Sequence, residues 1–145
     1  MYDSAFKSRV YLLAYLGLVP LCLSTLMLIL MSMLNISNEL ALTMTHYYGA
    51  IVLTFIGAIH WGRAMQNSNV QSVTLSVLPS IYAFICLLIP VTLALPLLIF
   101  GFLALYFYDA DQYSQYPWFK AMRARLTVLF SGLLLINWLV TGAYA

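Results

Sequence analysis

The stretch Thr45–Met65, THYYGAIVLTFIGAIHWGRAM, decides the fold. Its 21 residues hold a single cation, Arg63, close to the end, and ~20 predominantly apolar residues suffice for a helix to cross a ~30 Å hydrocarbon core. At ~100° per residue, His46, Gly49, Ala50, Leu53, Gly57 and His60 share one face, whereas Tyr48, Ile51, Val52, Phe55 and Ile59 share another. Ala50, Thr54, Ala58 and Gly62 form a second small stripe with four-residue spacing. Small residues let helices approach closely in lipid, where the hydrophobic drive for association is absent. This segment is therefore expected to be a central helix or a subunit contact, with its bulky face against lipid or larger side chains.

The rest of the chain has the same character. Of 145 residues, 64% are hydrophobic and 7% charged, against about a quarter charged in soluble domains. The expected fold is all-α: one membrane bundle of five transmembrane helices, at about 10–34, 45–65, 72–89, 94–108 and 120–144, filling residues 1–145 as a single domain. A re-entrant hairpin of the third and fourth blocks, which are the shortest, is the competing layout. Pro20 and Pro79 interrupt the first and third spans; each removes a backbone donor, so a neighbouring group must satisfy the freed carbonyl. Pro90 and Pro96 bracket the turn before the fourth span, where proline suits a first helical turn.

Threading the chain five times puts all six cations, Lys7, Arg9, Arg63, Lys120, Arg123 and Arg125, on one side. Cytoplasmic loops are enriched in Lys and Arg, so the N-terminus is expected inside and the C-terminus outside. The Asn35–Met44 loop, with Glu39 and no cation, should face outward. Tyr106, Tyr108, Tyr113, Tyr116, Trp118 and Phe119 surround the last inner loop, and Tyr47 and Tyr48 begin the second span; Tyr and Trp favour the headgroup layer. Lys7 and Arg9 precede an apolar run, Val10–Leu34, longer than the ~7–15 residues of a signal core. No small-x-small pattern follows it, and Leu21 precedes Cys22, so a retained first helix is expected. Cys22 and Cys86 form no CxxC pair or metal spacing and read as packing residues. The net charge of +2 reflects topology, not nucleic-acid binding.

The candidate site is the inner end of the second span. An ionisable group at membrane depth is costly and marks a functional position by default. His60 sits there, with Gly57 leaving space beside it and Trp61-Gly62-Arg63 following. The plain alternative is a neutral imidazole bonded to a neighbouring helix or carbonyl. His46 and His60 share a face ~21 Å apart, the spacing at which membrane helices ligate two haems. With no other histidine in the chain, haem would require a symmetric dimer. Asp109, Asp111, Lys120, Arg123 and Arg125 can pair at the inner surface as solvated bridges worth roughly 0–1 kcal/mol; the sharper alternative is a pocket of His60, Arg63, Asp109 and Arg123 for an anionic headgroup. Thr127, Ser131 and Thr141 on one face of the fifth span, flanked by Asn137, suit interhelical hydrogen bonds. No metal-ligand array, nucleophile triad or phosphate loop occurs, and no acidic residue lies within an expected span, which argues against an enzyme and against proton-coupled transport.

Tyr48-Gly49-Ala50, Phe55, Gly57 and His60-Trp61-Gly62 in the second span form a signature. Ser76-Val77-Leu78-Pro79 follows in the third, Gly101-Phe102 and Asp109 in the fourth, and Pro117-Trp118, Arg123 and Leu126-Thr127 in the fifth. Over about Tyr11–Leu135 the chain resembles a membrane family of unknown function that includes mitochondrial transmembrane protein 69. The resemblance implies a bacterial inner-membrane protein with a mitochondrial relative, and brings neither a reaction nor catalytic residues; His46 is not part of its pattern. The expected function is an accessory or assembly subunit of a respiratory-type inner-membrane complex, without catalysis or cofactor. Its partners would be membrane lipids and a larger membrane-protein complex, or a second copy of the chain. Gly49, Ala50, Gly57, His60, Trp61, Gly62, Arg63, Asp109 and Arg123 are its contact candidates. The alternative is a binder or carrier of a quinone, porphyrin or lipid near His60, Trp61 and Pro79.

Overall fold

The computed structural model describes residues 3–67, 70–113 and 115–143. All regular structure in them is helical: α1 (Ser4–Leu16), α2 (Val19–Met33), α3 (Glu39–Asn67), α4 (Val70–Leu87), α5 (Val91–Gln112) and α6 (Pro117–Ala143). Four stretches, Ser4–Met33, Glu39–Gln66, Val91–Ala110 and Pro117–Gly142, are long and apolar enough to cross a membrane. The third expected span, α4, is apolar but has 18 residues, about 27 Å of helix. It lies along α3 from the Gly57 level to the His46 level.

The first span is two helices rather than one kinked rod. Pro20 stands in the first turn of α2, where its missing N–H is tolerated, and α1 stops at Gly17. Tyr48 on α3 donates to Gly17 O at 2.6 Å, one residue beyond the carbonyl that Pro20 frees. At its far end α2 closes on Asn35 with φ 53°, where asparagine tolerates the left-handed region. Ile36 N then donates to Met31 O at 2.9 Å and Asn35 N to Ser32 O at 3.3 Å, the paired bonds that use up a helix's last carbonyls. The remaining helices each begin two to six residues before their expected starts; α3 and α5 also end later than expected, whereas α4 stops at Leu87, two residues short.

α3 is central, packing against α2, α4, α5 and α6. Its small-residue face is the buried one: His46, Gly49, Ala50, Leu53, Gly57 and His60 all lie inside. A Cβ on Gly57 would stand 2.9 Å from Pro79 Cβ and 3.1 Å from Ser76 O, so only glycine admits α4 at this distance. The second stripe behaves differently: Ala50 is buried, but Ala58 and Gly62 are exposed. Among the bulky residues, Ile51, Phe55 and Ile59 face outward, while Tyr48 turns in to α2.

Contacts place every basic side chain at one end of the bundle. Lys7 Nζ lies 5.7 Å from the Trp118 ring centre and Arg63 Cζ 4.5 Å from that of Tyr113, and Arg123 meets Asp109. The start of α1, the ends of α3 and α5 and the start of α6 therefore lie together, with Arg9, Lys120 and Arg125 beside them on α1 and α6. At the opposite end His46 reaches α4, Asn137 reaches Thr45, and Trp138 reaches Thr92.

Candidate functional site

His60 from α3, Asp109 from α5 and Arg123 from α6 converge at the cationic end. They are 5%, 3% and 7% exposed, so the bridge between helix ends is buried rather than solvated. Arg123 Nε donates to Asp109 Oδ2 at 2.7 Å, and its Nη2 donates to the same oxygen. Asp109 Oδ1 faces His60 Nε2 at 2.7 Å. Burial of an ion pair forfeits hydration of both charges, so its geometry must be good for the pair to persist; here one guanidinium gives two donors to Oδ2, while Oδ1 and His60 Nε2 stand in close contact without the angles of a hydrogen bond. Tyr108 packs edge-on against His60, with ring centres 5.0 Å apart, and Tyr113 lies 6.2 Å away.

Asp109 fills the space in which an anionic headgroup was expected. The region enclosed by Ile56, His60, Asp109, Tyr113 and Arg123 has no room for even a water-sized sphere. Arg63 lies over Tyr113, with its Nη1 buried and unpartnered among the described residues. Burial pushes the Tyr113 phenol up, against a hydrogen bond from Arg63 that lowers it. Lys120 and Arg125 are exposed and stay outside the cluster. The Asp111 side chain falls outside the described residues. Trp61 is 45% exposed, and no atom lies within 4 Å of a Cβ built on Gly62, so this pair faces outward. Gly49 instead packs in the bundle centre, near Leu98 and Leu134.

His46 has a role the sequence reading missed. Its Nε2 lies 2.7 Å from Cys86 O, a carbonyl whose helical donor would be residue 90, which is proline. The imidazole supplies the missing donor and therefore carries its proton on Nε2. Trp138 repeats the device, donating from Nε1 to Thr92 O at 2.9 Å, four residues before Pro96. A carbonyl four residues before each proline was the available signal. Nearby, Asn137 Nδ2 donates to Thr45 Oγ1 at 3.1 Å, and Thr45 Oγ1 lies 3.0 Å from Ser24 Oγ, linking α6, α3 and α2. The two histidines thus share a face but address different helices, and haem ligation through either Nε2 would break its protein contact.

Two apolar grooves flank α3, each of about 340 Å³. The first lies between α3, α4 and α5, bounded by Leu53, Pro79, Tyr82, Gly101, Tyr108 and, at its cationic end, His60. Its outer walls Leu78 and Phe100 are 52% and 65% exposed, so it opens sideways toward the membrane. The second lies between α1, the Gly17–Leu18 turn, α3 and α6, with Phe102 of α5 at its floor, and carries Arg123 at the same end. One buried carboxylate therefore backs the polar end of both.

Apolar helices of spanning length, one central small-residue helix and basic residues gathered at one end define a multi-pass helical membrane protein. The chain belongs to the family described as "Protein of unknown function (DUF3429)", which matches residues 6–139. It is similar to Transmembrane protein 69 of Xenopus tropicalis, with 39% identity over 90 residues, covering 57% of this chain and 36% of that protein. The chain spans about a third of that relative's length (36%). No solved structure matches.

Proposed function

We propose that the chain holds a lipophilic molecule with a polar oxygen head, a quinone or a lipid, in the groove between α3, α4 and α5, without catalysing a reaction on it. One observation carries this reading: an apolar groove opening toward lipid has a buried imidazole at its polar end, fixed from behind by Asp109. Sites for small molecules are mostly apolar, with a few polar groups that set orientation. His60 would orient the head, and Tyr108 and Pro79 would flank it. A porphyrin fits less well, because both Nε2 atoms already face protein oxygens. The cationic end is taken to face the cytoplasm, with the chain in a bacterial inner membrane.

The test is extraction of the purified protein in organic solvent, followed by mass spectrometry. A lipophile near one per chain is expected from the wild type, and a much smaller yield from Ala104→Phe, which fills the groove from its exposed rim, or from His60→Ala. Absence of any such molecule from the wild type, or undiminished recovery from both variants, would overturn the reading.

A second reading, an accessory subunit of an energy-converting complex, is favoured by the exposed stripe of Ala58 and Gly62 beside Trp61, a surface that suits a partner helix. Migration with a larger complex on a native gel after mild detergent extraction supports it. Migration as a free monomer removes it.

A further inference from the structure

We infer that the second groove, between α1, the turn after it, α3 and α6, is a separate site for one acyl chain of an anionic phospholipid from the leaflet at the cationic end. The inference is independent of the ligand proposed for the first groove. The second groove runs along α3 from Tyr48 to Ile59 and along α6 from Phe119 to Phe130. Eleven residues of helix are about 16 Å, close to half of a ~30 Å hydrocarbon core, which is the depth of one leaflet. At the opposite end Tyr48 closes it by donating to Gly17 O, so a chain can extend only toward Phe119 and Arg123.

The charge at the open end selects the head. Phe119 stacks edge-on against Trp118, with ring centres 5.7 Å apart, and Lys7 Nζ lies over the Trp118 ring, 5.7 Å from its centre. Lys120 follows in sequence and is exposed. Two lysines from different helices thus belong to the end at which a phosphate would emerge, and Asp109 is turned away into its bond with Arg123. A basic residue near a membrane surface contributes ~1 kcal/mol toward anionic lipid, about fivefold in affinity.

Native mass spectrometry of the full chain in mild detergent, titrated with phosphatidylglycerol or phosphatidylcholine, tests this. The wild type is expected to retain one phosphatidylglycerol in preference to phosphatidylcholine. Lys7→Gln with Lys120→Gln should weaken that retention by about 25-fold, and Ala14→Phe, which fills the groove, should abolish it. Ala104→Phe in the first groove should leave it intact. Lys120 is exposed and Lys7 half-buried at the end of the bundle, outside the core, so the proposal stays testable if Ala14→Phe does not fold. Equal retention of the two lipids, unchanged retention in the lysine pair, or loss in Ala104→Phe would each overturn it.

Discussion

Asp109 concentrates more consequence than any other side chain, because one carboxylate receives Arg123 and faces His60 with its two oxygens. Removing its charge leaves a guanidinium buried without a counter-ion, a change that costs about 3–5 kcal/mol. Asp109→Asn should therefore lower the unfolding midpoint of the detergent-solubilised protein strongly, and adding Arg123→Gln should restore part of the loss. Simply additive losses would show that the two groups are not coupled. His46 acts at the other end by a different means. His46→Ala strips Cys86 O of its donor and should cost about 1–3 kcal/mol, with His46→Gln recovering some of it through an amide N–H. His60→Ala is expected to reduce retention of a bound lipophile or partner more than His46→Ala does. Equal, negligible effects on retention would leave His60 as a packing residue.

At the scale of the helices, α3 sets the distances. Gly57→Ala drives a methyl group into Pro79 and Ser76 O and should cost about 1–3 kcal/mol as overpacking, whereas Gly62→Ala meets nothing and should be silent in the same unfolding assay. The buried face of α3 was legible in its residues, because close helix approach in lipid demands small side chains and their angular positions follow from helix geometry. The two stripes looked equivalent in sequence and are not. They diverge around the helix, and only one direction has neighbours. The meeting of Asp109 with Arg123 followed from two antiparallel helix ends, but its burial did not. Burial depends on Ile56, Tyr113 and Phe119 enclosing the pair, which no spacing along the chain reveals. The break at Gly17 was likewise hidden behind Pro20, since proline prefers to start a helix rather than bend one.

For the whole molecule, segregation of charge is the organising fact. Six basic residues drawn from three helices gather at one end, and the opposite end is held by neutral hydrogen bonds from His46, Asn137 and Trp138. Lipid between these ends explains why large apolar side chains such as Phe55 and Phe107 remain 67% and 71% exposed. The most direct test is labelling with a membrane-impermeant thiol reagent in intact cells and in inverted vesicles, using single cysteines placed in a background with Cys22 and Cys86 replaced. Arg9→Cys, Arg125→Cys and Asn38→Cys report the two ends. The account predicts that the first two react only in inverted vesicles and the third only in intact cells; labelling of Arg9→Cys and Arg125→Cys from opposite compartments would contradict it.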